Sequence, residues 1–167
     1  MGDPRTLKRK YETPKKLWDK VRIEEEKALV KEYGLKNYRE LWVMEKEIKK
    51  VRREARRLLS KGDAGKDKAN ELLSKATRIG IVKEGTLLED LLALTTKDIL
   101  ERRLQTRVFR KGLSHTINQG RQLITHGFIS INGKKVSSPS YIVPMKEENL
   151  IGYHKAIDLE VKEVKGA

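Results

Sequence analysis

The sequence predicts an α+β protein: an all-helical stretch to about residue 101, then a C-terminal part that joins helix to short antiparallel strands. Two observations carry this. Apolar residues recur every three or four positions as far as Val108, which is helical spacing. After Gly112 the pattern shortens to alternation around Asn132-Gly133, and Asn-Gly between short apolar runs is a strong local hairpin signal. A third observation concerns function: 38 Lys and Arg face 24 Asp and Glu in 167 residues, a formal net charge of +14.

The first twenty residues are expected to form an extended basic arm, because Pro4 and Pro14 interrupt a run rich in Lys and Arg that lacks apolar periodicity. Trp18 is expected to anchor it. Residues 22 to 32 read as a short helix closed by Gly34. Asn37 with Glu40 three places on matches a capping box, and opens a helix whose stripe is Leu41, Met44, Ile48, Val51, Ala55 and Leu58. Its other face carries Lys46, Lys49, Lys50, Arg52, Arg53, Arg56 and Arg57, equally consistent with a solvated or an RNA-facing surface.

SKGDAGKD (60 to 67) breaks that helix. Ala69, Leu72, Leu73, Ala76 and Ile79 mark the next, with Gly80 as its cap. Thr86 with Glu89 suggests a second capping box ahead of Leu87, Leu88, Leu91 and Leu92. Thr95 and Asp98 start a further helix that continues through Ile99, Leu100, Leu104 and Val108. Ser114 is expected to cap a helix to about His126, with Gly127 closing it. Ile129 to Ile131 should then turn at Asn132-Gly133 into Lys134 to Val136. Tyr141 to Val143, Leu150 to Tyr153 and Ile157 to Val161 read as further strands. The expected organisation is an arm (1–20), a helical region (21–101) and a C-terminal α+β unit (102–167).

The charge is uneven. Residues 1–60 carry a net +8, 61–101 a net −1, 102–146 a net +9 and 147–167 a net −2. The 102–146 block contains nine basic side chains and no carboxylate. A polyanion partner explains both features, since each neutralised phosphate releases counterions while a nearby carboxylate costs affinity. The absence of Cys removes disulfides, thiolate nucleophiles and Cys-ligated metals. No run approaches the roughly 20 apolar residues that span a bilayer, so no membrane partner is expected and the expected location is the cytoplasm. Met1, Gly2 and Thr6 match a myristoylation pattern too short to carry weight. No catalytic constellation emerges. The spacing from Gly127 to Lys134 is wrong for a phosphate loop, and His115, His126 and His154 lack metal-ligand spacing. No enzyme activity, cofactor, metal or small-molecule substrate is expected.

From residue 102 the chain reads RRLQTRVFRKGLSHTINQGRQLITHGFISINGKKVSSPSYIV. Arg102-Arg103-Leu104, Gly112-Leu113, Arg121-Gln122-Leu123-Ile124, His126-Gly127, Ile131-Asn132-Gly133-Lys134, Val136 and Pro139-Ser140-Tyr141 together resemble the S-four RNA-binding domain. Gln105-Thr106, and the segments YETPKKLWDK, EYGLKNYRELW and ARRLL, are similar to the small-subunit ribosomal protein four family in its archaeal and eukaryotic form. Gly120 departs from the usual Ala. Glycine within a helix costs about 1 kcal/mol, so close backbone packing or a looser helix is expected there.

The resemblance implies a primary binder of small-subunit ribosomal RNA that helps nucleate assembly of the subunit body. It further implies a neighbour in ribosomal protein five, proximity to messenger RNA and an influence on decoding accuracy. A stand-alone S-four regulator or chaperone acting on ribosomes or structured RNA is the alternative, and should lack the matched N-terminal region.

The candidate RNA contacts are Arg102, Arg103, Gln105, Arg107, Arg110 and Lys111, then Ser114, His115 and Thr116 at a helix start, then Arg121, Gln122, His126, Asn132, Lys134 and Lys135. Arg5, Lys8, Arg9 and Lys10 of the arm, with Lys49, Arg52, Arg53 and Arg56, supply a second contact surface. Arg103, Arg107 and Arg110, spaced by four and three, are expected on one helix face as forks for phosphate. Arg103 and Arg121 should each add about one unit to the salt dependence of binding. Phe109 and Phe128 are expected in the core, so base stacking is not the expected main mode.

Overall fold

The computed structural model describes residues 10–155, except the side chains of residues 63 and 64. Arg5, Lys8, Arg9 and the strand expected at 157–161 lie outside these residues. The described chain is α+β: seven α-helices, two short 3-10 turns and one small sheet.

Helix α1 (Lys20–Glu32) ends in a Schellman-type turn in which the Leu35 N–H donates to the Val30 carbonyl at 3.0 Å. The turn places Gly34 at φ +56°, and a Cβ there would lie 2.5 Å from Cγ2 of Ile117. Helix α2 (Tyr38–Leu59) buries Leu41, Met44, Ile48, Ala55 and Leu58, so the stripe set by its spacing is the face that packs. Helix α3 (Lys66–Ile79) follows the 3-10 turn Gly62–Gly65 and ends at Gly80, as its sequence predicts. The arm does not anchor through Trp18, which is 92% exposed. Tyr11 anchors it instead, its ring 6.0 Å from that of Trp42 and beneath the guanidinium of Arg39.

Neither of the two expected capping boxes forms, and one arises where only a helix start was expected. Thr95 and Asp98 cap helix α4 (Thr96–Glu101) reciprocally. The Thr86 hydroxyl instead donates to the Lys83 carbonyl, Asp90 accepts from the Leu87 N–H, and only the 3-10 turn Glu89–Leu92 follows. Asn37 makes no side-chain cap, and Glu40, paired with Arg103 and Arg121, does not reach back to it.

The helix expected to run on past Leu100 breaks at Arg103, whose ψ of 141° is extended. Residues 139–143 dock along the break. Leu104 N–H donates to the Tyr141 carbonyl at 2.7 Å, Gln105 N–H to the Pro139 carbonyl at 3.3 Å, and Arg103 bridges Ile142. Helix α5 (Leu104–Arg110) thus starts with its free N–H groups satisfied by a distant segment. The expected strand at 141–143 amounts to this one bridge.

Thr116, not Ser114, caps helix α6 (Ile117–Thr125), accepting from the Gln119 N–H at 3.1 Å. The hairpin forms as expected. Strand β1 (Ile129–Ile131) turns through Asn132 and Gly133, both at positive φ, into β2 (Lys134–Lys135). Helix α7 (Met145–Glu148) then leads to β3 (Ile151–Tyr153), which pairs with the other edge of β1, giving the order β2-β1-β3. Gly120 packs closely: a Cβ would sit 3.0 Å from the Ser114 hydroxyl and 3.5 Å from the Gln105 carbonyl.

The apolar core has three parts. Leu104, Val108, Leu123, Ile124, Ile129, Ile131, Val143 and Ile151 close the C-terminal unit. Tyr33, Leu35, Leu41, Met44, Ile48, Ile99 and Leu100 join α1, α2 and α4. Ala55, Ala76, Leu91 and Leu94 close the far end of α2.

Gly34→Ala should destabilise the protein by about 2 kcal/mol in urea unfolding, since the left-handed conformation and the contact with Ile117 both oppose a side chain. Thr95→Ala should cost about 1 kcal/mol, and Thr86→Ala should cost clearly less.

Candidate RNA interface

The five arginines of the 102–146 block do not form an open row. Arg103 precedes α5 instead of lying on it, and its side chain is 1% exposed. Its guanidinium donates to Glu40 of α2 at 2.7 Å. Arg121 of α6 donates to the two oxygens of the same carboxylate at 2.6 and 3.2 Å, and to the Gln105 side-chain oxygen at 3.2 Å. Gln105 is buried, and its amide nitrogen donates to the carbonyls of Gly34 at 2.9 Å and Ile117 at 3.3 Å. Arg102, 8% exposed, donates to Glu148 and to the Val143 carbonyl, both at 2.8 Å. Arg107 pairs with the other oxygen of Glu148. Arg110, the most exposed of the five, reaches Glu101 at 2.9 Å, and Glu101 also accepts from the Tyr33 hydroxyl at 3.1 Å.

Each of these arginines therefore meets a carboxylate from outside the acid-free block: Glu40, Glu101 or Glu148. The expected face of phosphate forks on Arg103, Arg107 and Arg110 is corrected by this geometry. A guanidinium taken out of water needs a charged partner, and a carboxylate can receive two. Ser114 is corrected too, since it is buried, with its hydroxyl against Gly120. Arg52 is half-buried and donates to the Leu94 carbonyl.

Burial pushes the Glu40 carboxyl up, but hydrogen bonds and charge from Arg121 and Arg103 outweigh it and hold the group below its ordinary value. Burial likewise raises Glu101, and Arg110 and Tyr33 more than reverse that. Tyr33 is pushed up by its burial and by the Glu101 charge. The Tyr33 phenol therefore keeps its proton and donates a hydrogen bond to an ionised Glu101.

What remains outward is a different set. Lys111, His115, Thr116, Gln122, His126, Asn132, Lys134 and Lys135 are exposed. Asn118, Gln122 and Thr125 are exposed at spacings of four and three, so α6 presents a neutral polar stripe. The stem of Lys135 crosses Gly127, where a Cβ would lie within 3.1 Å of its Cδ, so the absent side chain leaves room for the lysine. Among the described residues Lys111, Lys134, Lys135 and Lys146 form no ion pair, whereas every arginine of the block does. On α2, Lys49, Lys50, Arg53 and Arg56 are exposed, and Lys10 of the arm lines one cleft with Lys46, Lys50 and Arg53, and with Glu12 and Glu47. The described residues hold no group of three His, Asp or Glu that could bind a metal ion, and no helix among them is long and apolar enough to cross a membrane.

Residues 102–149 match the S4 domain, the segment that supplies this polar surface. The chain is 49% identical over 156 residues to small ribosomal subunit protein uS4 of Saccharolobus solfataricus, covering 92% of this chain and 86% of the relative. It is 49% identical over 155 residues to that of Methanococcus aeolicus, covering 92% and 88%. Against that of Methanothermobacter thermautotrophicus it is 43% identical over 168 residues, covering 100% and 98%. The chain belongs to the uS4 family.

Within this uS4-family fold the residues that sequence reasoning missed are the carboxylates. Glu40 stood in a capping pattern, while Glu101 and Glu148 lay outside the basic block. No local signal marks any of them, because Glu40 meets Arg103 and Arg121 across 63 and 81 residues of chain. Gln105-Thr106, read as a mark of the archaeal and eukaryotic form, has a structural use: Thr106 donates to the Leu100 carbonyl at 2.8 Å and Gln105 ties α5 to the Gly34 turn.

Glu40→Ala should cost about 3 kcal/mol at pH 7, because it leaves the buried Arg103 unpaired. Since the folded carboxyl titrates below its unfolded value, its contribution is complete above about pH 4.3 and is lost as pH falls through the lower, folded value. Urea unfolding between pH 6 and 2 should therefore show a steeper acid loss in the wild type than in Glu40→Gln.

Proposed function

We propose that this protein binds small-subunit ribosomal RNA as a structural constituent of the small ribosomal subunit. The observation that carries the reading is the division of the S4-matched segment into arginines held by internal carboxylates and an outward surface of unpaired lysines, imidazoles and amides without a carboxylate of its own. Lys111, Lys134 and Lys135 supply positive charge for phosphates. The stripe of α6 supplies hydrogen-bonding groups that fit sugar and phosphate oxygens of helical RNA, where shape and backbone dominate recognition. The exposed residues of α2, with Lys10 beside them, offer a second patch, and two modest patches on one body raise affinity through local concentration.

The relatives are named as ribosomal proteins, not as enzymes, and align over nearly their whole length. That removes the premise of a stand-alone S-four regulator, which was expected to lack the matched N-terminal region. Nucleation of subunit assembly, an effect on decoding accuracy, a contact with ribosomal protein five and proximity to messenger RNA belong to the proposal through family resemblance.

A titration against a transcript of the 5′ part of small-subunit ribosomal RNA, beside transfer RNA and duplex DNA at several salt concentrations, tests the reading. Preference for the ribosomal fragment should survive high salt, and equal, steeply salt-sensitive binding to all three would contradict it. Lys111→Ala and Lys134→Ala should each lower the salt slope by about one unit with little change in stability. Arg103→Ala should lose stability first.

A further inference from the structure

We propose that Trp18 is a stacking platform for an unpaired base of the bound RNA, an inference that rests on the RNA-binding reading above and adds a contact mode to it. Trp18 is 92% exposed, far more than an indole that merely anchors a chain end. Its position is nonetheless fixed. Arg22 donates to the carbonyls of Lys16 and Leu17 at 3.1 and 3.0 Å, bracing the turn that carries the ring. Arg22 is itself paired with Glu26, a buried carboxylate that also accepts from the indole N–H of Trp42 at 3.3 Å. Helix α1 then starts at once, with the Ile23 N–H donating to the Asp19 carbonyl at 3.0 Å. A half-buried ion pair thus braces the turn that carries a large apolar ring left in solvent by the fold.

The charge around the ring selects the occupant. Exposed Lys15, Lys16 and Lys20 flank it, with Lys10 upstream, against Glu12 and Asp19 in the same stretch. An aromatic face among lysines is the pattern by which single-stranded nucleic acid is held: the base stacks and the adjoining phosphates meet the ammonium groups. Leu17 and Val21, one and three positions from Trp18 in the chain, are also exposed. A protein partner reading the same patch would have to bury those lysines against carboxylates of its own. RNA carries both the π-face and the phosphates on one strand.

The test uses the full chain and the 5′ ribosomal RNA transcript, with filter binding for affinity and tryptophan emission for stacking. Trp18→Ala should weaken binding about tenfold while leaving the salt slope unchanged, because a stacking contact and no phosphate contact is lost. Trp18→Phe should restore most of the affinity. The Trp18 emission, obtained as the difference between wild type and Trp18→Phe, should be quenched as RNA is added. Wild-type affinity in Trp18→Ala, unquenched Trp18 emission, or a loss accompanied by a lower salt slope would each overturn the stacking assignment. As long as the transcript is still bound selectively, those results leave the ribosomal RNA reading in place and point to a protein neighbour at this patch. Absence of selective binding in the wild type would overturn both.

Discussion

The guanidinium of Arg103 sits almost wholly inside the fold, and a charge removed from water there needs an opposite charge within hydrogen-bond reach. Glu40 is that charge. Because the same carboxylate also receives Arg121, one side chain of α2 fixes the start of α5 and the middle of α6 together. Gln105 extends the clasp to the Gly34 turn, and Tyr33 of that turn reaches Glu101 at the end of α4. The helical region and the S4-matched segment are joined by a polar seam whose geometry is narrow, whereas apolar packing alone would permit sliding. Such a seam contributes orientation more than net stability, since well-packed apolar groups could replace a buried ion pair at little cost.

This arrangement divides labour between the two basic residue types. Arginine's planar fork suits a carboxylate that must be gripped from two sides, and Glu40 and Glu148 are both gripped that way. Lysine carries a compact, hydrated charge on a flexible stem and is the type left outward just past α5 and on the hairpin, while α2 turns both types outward. The +9 of the 102–146 block is therefore an accounting along the chain. In space three of those nine charges are offset by Glu40, Glu101 and Glu148, and the field presented to RNA comes from fewer groups than the sequence suggests.

Elements whose cause is local were legible in the sequence. The stripe from Leu41 to Leu58 packs because its period fixes its face, and Asn132-Gly133 turns because those two residues accept positive φ. Asn37–Glu40 and Thr95–Asp98 look alike as patterns and behave differently. The second caps its helix, while the first gives its carboxylate to residues 63 and 81 positions away, a competition that no local pattern reports. The break at Arg103 was hidden for the same reason: no Gly or Pro marks it, and the docking segment 139–143 supplies the partners that make it possible. Of the candidate contacts, the lysines and imidazoles of the S4-matched segment are exposed, whereas Arg102 and Arg103 are buried, because burial is not written in charge.

Residue-resolved labelling tests this division most directly. The protein, free and bound to the ribosomal RNA fragment, would be treated with an arginine-selective dicarbonyl and, separately, a lysine-selective acylating reagent, and the modified positions read by mass spectrometry. Arg102, Arg103 and Arg121 should resist modification in both states, while Lys111, Lys134 and Lys135 should react in the free protein and be protected by RNA. Ready modification of Arg103 and Arg121 in the free protein, with protection appearing only on RNA binding, would contradict the internal clasp and restore those arginines as the RNA-facing surface.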